Sequence, residues 1–522
     1  MSYTPLNWLL AAFPVFSFIV AMIVFKQSGN QSAALSWLAA LISAFLFFGA
    51  DFAFFLNTLA KGLLLAFDVL LIIWAALFFY MVTDRAGTIQ ILGNWISRFS
   101  DNRAVKGLFL GWLFPSFLQG MGGFGVPVAV SAPLLVSSGF NPIQALVMAS
   151  VGHSWAITFG SMSASFQVLM AASSLSGKLL APYSSLFLGI CVLFCGFFVA
   201  HIADGVKGIR STLWLILILS VIMGGGLYLF SVNGLWIISV TIPALLAMII
   251  GYFLVKQHKH AKDNASLTNQ EKNRYSLTVI PYIVLVLTTI MVTIIEPIKE
   301  TLDKFTFTIF FPEITTRMGY ITPAGPGRGI HTLNHPGLII CISALISYAV
   351  FCHKGLLSKN DFIKIIRSTA AKSKETTLTL LFMGSMAAIM SHTHMTGILA
   401  EGVSQFFGSD LYPIAAPFIG ALGAFITGNN SNSNLLFTAL QMQSAELAGL
   451  SIPLVLAAQT AGASIGSMMA PAKVVLGCAT VGLHKQEGSV ISKIFFYGIL
   501  LILLIGVLSM LLSRYGIIIS PQ

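Results

Sequence analysis

The chain carries one arrangement of interruptions twice, inside sequence otherwise fit for a membrane. The first copy, residues 117–162, runs Leu118-Gln119-Gly120-Met121-Gly122-Gly123-Phe124-Gly125-Val126-Pro127 and then returns through apolar residues to Gly139-Phe140-Asn141-Pro142. It continues to Gly152-His153-Ser154-Trp155 and Gly160-Ser161-Met162-Ser163. The second copy runs Thr427-Gly428-Asn429-Asn430-Ser431-Asn432-Ser433-Asn434, then to Gly449-Leu450-Ser451, Gln459-Thr460-Ala461-Gly462 and Gly466-Ser467-Met468. Gly120 and Gly428, Gly152 and Gly462, and Gly160 and Gly466 stand 308, 310 and 306 residues apart. Matching interruptions in two halves of a membrane chain point to a transporter's binding site.

Composition supports the membrane. Hydrophobic residues make up 57% and charged residues 9% of 522 positions, with a mean hydropathy of +0.89. A soluble domain of this length could not hide so much apolar surface, so a polytopic membrane protein is expected. The net charge of +11 sits in short loops, as cytoplasmic retention of basic residues requires, and is not read as a nucleic-acid surface. The five cysteines, at positions 191, 195, 341, 352 and 478, form no CxxC pair, which argues against a disulfide framework or a zinc site. Residues 6–25 lack a basic leader and a small-residue cleavage site, so a helix is expected there rather than a signal peptide.

Apolar runs place spans at about 6–25, 33–50, 62–82, 182–200, 212–230, 234–255, 277–298, 336–353, 376–391 and 492–512. The basic loops 256–274 and 354–374 are assigned to the cytoplasm, with the segments bearing Arg85, Arg98, Arg103 and Lys106, and His201 to Arg210. Both termini then lie outside. The doubled stretches fit this count only as a hairpin plus a broken helix in each half. Residues 104–138 would enter from inside and turn at 120–127, and 142–175 would cross with a break near Gly160. Residues 411–448 would enter from outside and turn at 428–434, and 452–484 would cross with a break near residues 466–471. The expected fold is thus an all-α polytopic membrane protein with two inverted repeats, residues 1–255 and 276–522, joined by a cytoplasmic loop at 256–275. Each repeat holds a re-entrant hairpin and a broken transmembrane helix, whose bare backbone must line a cavity or be covered by protein. The plainer alternative is ordinary full spans with glycines for close helix packing.

Several residues could carry function. Gly122, Gly123 and Gly125 let backbone N–H groups approach a ligand, and a helix starting near Pro127 would aim its positive end at the same point. That suits a carboxylate. Thr427, Asn429, Asn430, Ser431, Asn432, Ser433 and Asn434 put uncharged donors and acceptors into the second tip. Ser154, Ser161, Gln459, Thr460 and Ser467 flank the breaks as further substrate-binding candidates. Lys473, two residues after Pro471, is costly in apolar sequence unless it meets a cavity or a partner anion, or snorkels. His153 offers a titratable group in the first break or is a satisfied core histidine. Asp68 interrupts a span and either relays protons or pairs with a polar neighbour. His392 and His394 read as interfacial, and the loop 299–335, with Pro323, Pro326, Arg328 and His331, has no defined role.

These residues resemble the bacterial L-lactate permease family. Gly123-Phe124-Gly125-Val126-Pro127-Val128-Ala129-Val130, with Leu134-Leu135-Val136 and Gly139-Phe140-Asn141-Pro142, is similar to its first signature. Pro417-Phe418-Ile419-Gly420, Thr427-Gly428, Ser433-Asn434-Leu435-Leu436-Phe437 and Ala439-Leu440-Gln441 resemble its second, and the likeness continues through Val455-Leu456-Ala457-Ala458 and Ala479-Thr480-Val481-Gly482-Leu483. The resemblance implies a proton symporter of L-lactate, D-lactate and glycolate in a bacterial inner membrane. Three positions depart from the family pattern: Gln119 and Asn430 stand where it has acids, and Lys473 where it typically has glutamine. With Asp68 and His153, Gln119 and Asn430 are the candidates for coupling-ion binding. Neutral tips and a new cation keep an anion as the natural guest.

The expected function is therefore uptake of a small organic anion, with no cofactor, no metal and no nucleic acid as partner, and with a homodimer left open. A Na+-coupled carrier of another carboxylate or a sulfonate is the alternative within transport. A membrane-embedded enzyme is disfavoured because the sequence offers no metal-ligand cluster or nucleophile–base pair, and a sensor because no soluble signalling domain is attached. The assigned sidedness predicts that a cysteine replacing Asn264 escapes a membrane-impermeant reagent added outside, whereas one replacing Ser2 reacts. The reverse pattern overturns the orientation.

Overall fold

The computed structural model describes residues 4–98, 100–123, 125–257, 269–327, 329–483 and 486–516. Phe124 of the first tip, Lys259 and Lys262 of the basic loop, and Arg328 lie outside the described residues. The chain is an all-α polytopic membrane protein. Among the described residues, eight helices are long and apolar enough to cross a bilayer, or nine if the bent pair Leu277–Thr293 and Glu296–Asp303 is one span.

The first half opens with the antiparallel pair α1 (Pro5–Ile23) and α2 (Gly29–Leu46), then α3 (Phe52–Arg85) and the short α4 (Thr88–Arg98). Helices α5 (Arg103–Leu108) and α6 (Phe114–Met121) form one rod through a π-helical turn at Phe109–Leu113, and α7 (Val126–Ser137) returns along it. At twelve residues, α7 is about 18 Å long, short of the ~30 Å hydrocarbon core. Helices α8 (Pro142–His153) and α9 (Gly160–Ser173) flank a break, and α10 (Gly177–Ser220), α11 (Gly226–Val232) and α12 (Thr241–Gln257) follow. The second half holds α13 (Asn269–Thr293), α14 (Glu296–Asp303), α15 (Pro336–His353) and α16 (Asp361–His392). Then α17 (Met395–Thr427), which kinks at Gly408 (φ 62°, ψ −179°), and α18 (Asn430–Leu447) again make a rod after the kink, a tip and a return, with α19 (Ile452–Met469) and α20 (Pro471–Thr480) flanking a second break before α21 (Glu487–Arg514).

The structure moves several boundaries. Residues 201–210 are not a loop: the helix α10 turns sharply at Asp204 and Gly205, the latter at φ +61° and ψ −150°, a conformation open to glycine. The chain then runs back antiparallel to the first arm, so that Gly224, in a π-helical turn at Val221–Gly225, lies against Gly189. Residues 354–374 are mostly helix, because α16 starts at Asp361. The Ser358 hydroxyl and amide donate to Asp361 Oδ2 at 2.6 and 2.9 Å, and Arg85 pairs with its other oxygen at 3.1 Å. Those contacts hold the Asp361 carboxyl below the usual carboxylate range, and they join the end of α3 to the start of α16. An acid also suits the positive end of a helix. The segment 299–335 folds into short antiparallel pairs, Thr306–Phe307 with Ile330–His331, Phe310–Phe311 with Gly325–Pro326 and Ile314–Thr315 with Ile321–Thr322.

The breaks differ in kind. In the second half the chain kinks at Ala470 (φ −57°, ψ 128°), within the expected interval 466–471, since the residue before a proline is driven out of the helical region. The first break has no proline. Ser161, Met162 and Ser163 sit in the left-handed region at φ 48°, 55° and 65°, a placement that costs on the order of 1 kcal/mol or more per residue.

The landmark glycines serve contact. A Cβ at Gly152 would strike the carbonyl oxygen of Gly111, and one at Gly462 that of Pro417. Each half thus lays its broken helix directly on the backbone of its own rod, the close approach that small residues permit between membrane helices. Gly152→Val and Gly462→Val must push backbone apart, and overpacking of this kind costs about 1–3 kcal/mol. Each variant should melt below the parent in detergent, whereas Gly488→Ala, with open space around it and no positive φ, is the control for yield. An unchanged melting temperature in both valine variants would contradict this packing.

Candidate functional site

A cavity of about 340 Å³ lies where the two tips meet. The first half contributes Gln119, Gly123, Ile157, Ser161, Ala164 and Ser165; the second contributes Thr427, Gly428, Asn429, Ser431 and Asn432, with Ala472, Lys473 and Leu476 from α20. Helix α16 closes one side with Lys372, Glu375, Thr376 and Thr379, and Met22 and Gly29 come from the α1–α2 turn. A larger groove, about 1000 Å³ between α3, α15 and α16, is lined mainly by apolar side chains and touches neither tip.

Each tip is built by its own sequence. In the first, Gly123 donates its N–H to Ser161 Oγ at 2.7 Å, and a Cβ there would meet both Ser161 Oγ and the Gln119 amide. Glycine is therefore what lets the tip touch the break. In the second, Thr427 Oγ1 donates to the Gly423 carbonyl at 2.7 Å, and Asn429 Oδ1 caps α18 by accepting from Ser431 N at 3.1 Å. The starts of α18 and α20 thus both face the cavity, and their positive ends favour a negative guest. Lys473 Nζ donates to Ser467 Oγ at 2.5 Å, which anchors the ammonium on the cavity wall. Asn432 is 4% exposed, and its Oδ1 has no hydrogen-bond partner among the described residues.

Behind the cavity runs a polar seam between the halves. Asn430 Nδ2 donates to Thr158 Oγ1 at 2.9 Å, and Thr158 Oγ1 donates to the Thr460 carbonyl at 3.0 Å. Asn434 Nδ2 reaches the Ser165 carbonyl at 2.9 Å and Thr460 Oγ1 at 3.0 Å, while Gln459 Nε2 donates to Asn434 Oδ1 at 3.1 Å. Ser165 and Ser431 share a hydroxyl contact at 3.0 Å, and Ser464 Oγ donates to the Ser154 carbonyl at 2.6 Å.

The candidates therefore separate into groups. Gln119, Gly123, Ser161, Thr427, Asn429, Ser431, Asn432 and Lys473 line the cavity. Asn430, Gln459 and Thr460 lie in the seam, Ser433 donates to the Gly420 carbonyl at 2.7 Å, and Ser467 lies beneath Lys473. Gly122 packs on Tyr80 and Gly125 on Leu476. His153 and Ser154 are buried, with His153 Nδ1 on the Ala149 carbonyl at 2.6 Å and Ser154 Oγ on that of Val151 at 2.9 Å. Asp68 lies apart from the cavity and pairs with His335 at 3.1 Å. The sequence reading missed Lys372 and Glu375, whose charges had put them in or beside a loop, and Thr158 and Ser165. It also missed His335, directly before a proline that starts a helix, which is the one signal that marked it.

Compared with known proteins, residues 7–515 match a family described as L-lactate permease. The L-lactate permease of Escherichia coli K12 is 25% identical over 97% of this chain and 96% of its own. The glycolate permease GlcA of the same organism is 24% identical over 97% and 95%. Among solved structures, the YdaH transporter of Alcanivorax borkumensis superposes with a TM-score of 0.52 at 15% identity, covering 90% of this chain and 91% of that one. At that identity the likeness speaks for the fold alone.

Proposed function

The chain belongs to the L-lactate permease family, and from that membership we propose that it takes up L-lactate, glycolate and similar small 2-hydroxymonocarboxylates in symport with protons. It is a multi-pass protein of the bacterial inner membrane. In this reading residues 104–138 and 411–448 are re-entrant hairpins entering from opposite faces. The halves 1–255 and 276–522 are inverted repeats that expose the cavity alternately.

The observation that carries the reading is the cavity's chemistry. Lys473 and the starts of α18 and α20 supply positive potential for a carboxylate, and the buried, unpartnered Asn432 Oδ1 supplies an acceptor for a 2-hydroxyl. A buried acceptor left without a donor costs about 1–3 kcal/mol, so the hydroxyl-bearing acid is favoured over its deoxy analogue. Neutral amides at Gln119 and Asn430 set no like charge against the anion, and the Lys473 ammonium attracts it. Those two amides do not titrate, so proton binding is assigned elsewhere. Sodium coupling is less favoured, because the tip residues include no carboxylate to offset a cation's charge.

Proteoliposomes loaded to impose pH or Na+ gradients test this with radiolabelled L-lactate, glycolate and propionate. The parent is expected to accumulate lactate and glycolate on an inward proton gradient and to prefer them over propionate. Lys473→Gln should weaken lactate about ten- to a hundredfold, the worth of a hydrogen bond to a charged group, and Lys473→Glu should abolish uptake. Asn432→Leu should remove most of the lactate-over-propionate preference. Equal uptake by parent, Lys473→Gln and Lys473→Glu at matched expression contradicts the site.

A further inference from the structure

We propose that the buried Asp68–His335 pair is the carrier's proton-binding site and that its protonation acts on the start of α15. The inference rests on the proton-coupled reading above and names the group that reading lacks. Asp68 sits within α3, and His335 immediately precedes Pro336 of α15; both are 5% exposed. His335 Nε2 lies 3.1 Å from Asp68 Oδ1, and Gly337 donates its N–H to His335 Nδ1, also at 3.1 Å. A ring nitrogen that accepts a bond carries no proton, so the cap of α15 fixes the tautomer. Nε2 then holds the proton and donates it to Asp68. The unprotonated pair is a neutral imidazole and a charged carboxylate, one negative charge away from water.

One proton from bulk water neutralises that charge, bonding through a lone pair on a carboxylate oxygen of Asp68 or on His335 Nδ1. No covalent bond breaks. On Nδ1 it displaces the Gly337 N–H and loosens the first turn of α15; on Asp68 it rearranges the bond between α3 and α15. Either event reaches the cavity through α3. That helix packs against α9 and against α16, where Trp74 Nε1 donates to Thr377 Oγ1 at 2.9 Å and Gly62 lies on the backbone of Ser385. A neutral site loaded with one proton also balances one substrate anion, so the loaded carrier reorients without a change in net charge.

Helix α13 packs against α15 and lays Tyr282 against Phe79 of α3. Helix α16 brings Lys374 into the groove that His335 lines, its Lys372 lies 5.4 Å above the Tyr80 ring, and its Glu375 faces the cavity. Helix α15 brings Cys341 into that groove. Asp303 is held by Asn334, beside His335, at 2.7 Å. Lys61, two turns back on α3, lies 5.3 Å over Phe311. Helices α6 and α9 carry no titratable side chain, and α4 carries no acid or histidine.

Two substitutions keep the shape and, combined, remove both groups that can take the proton. In His335→Gln the amide oxygen can accept from Gly337 and the amide nitrogen can donate to residue 68. In Asp68→Asn the amide oxygen still accepts from that donor. In proteoliposomes, the double variant should exchange internal for external lactate yet accumulate none above the outside concentration on an imposed proton gradient. Deuterium exchange over the start of α15, corrected for intrinsic rates, should change with pH in the parent and not in the double variant. Gradient-driven accumulation by the double variant overturns the proposal, as does its loss of exchange at parent expression, which would mark a structural role. A parent that moves no lactate at all fails the transport reading instead. The pH response at α15 then still decides the proton site: its presence in the parent and absence from the double variant upholds the site, and a flat parent overturns it.

Discussion

The structure depends on a seam of uncharged hydrogen bonds that joins residues about 270 to 310 positions apart. Each broken helix exposes backbone where bilayer lipid could not satisfy it, so something else must. Thr158 of the first break donates to the Thr460 carbonyl, and Asn434 donates to the Ser165 carbonyl, so each half covers groups of the other. The left-handed run Ser161–Met162–Ser163 persists because Gly123 holds Ser161 from one side while the seam holds Ser165 from the other. Breaking the helix and binding the partner half are one structural event.

The same seam decides which residues remain for a guest. Asn430, Gln459 and Thr460 are occupied with one another, whereas Asn432, Lys473 and the α18 start are turned to the cavity. The cavity combines amides, hydroxyls and helix ends with the anchored ammonium of Lys473, and α16 faces it with Lys372 and Glu375. The proposed substrate pose follows from it: carboxylate toward Lys473, hydroxyl toward Asn432. In the proposed reading the proton is bound elsewhere, at the α3–α15 pair, which separates it from recognition of the anion.

Much of this was legible in the sequence, because polar interruptions stand out against apolar runs. The two tips, the glycines that lay broken helix on rod, and Lys473 were found from local contrast alone. What faces the cavity and what faces the seam was not legible, since one turn of α18 sends Asn430 and Asn432 to different surroundings. Lys372 and Glu375 were hidden by their charge, which reads as loop until α16 is seen to start at Asp361. The second break falls at Ala470, inside the expected interval 466–471, where Pro471 is the local signal. Asp68 was visible as an acid within a span, but its partner His335 lies 267 residues away, and pairing at that distance leaves no mark on either stretch.

The central claim is that the cavity between the tips holds the substrate carboxylate. A structure of the protein determined with L-lactate bound tests it most directly. The account predicts ligand density between α18 and α20, its carboxylate within hydrogen-bonding distance of Lys473 and its hydroxyl at Asn432. Lactate bound instead in the groove between α3, α15 and α16, with the tip cavity unoccupied, would contradict it.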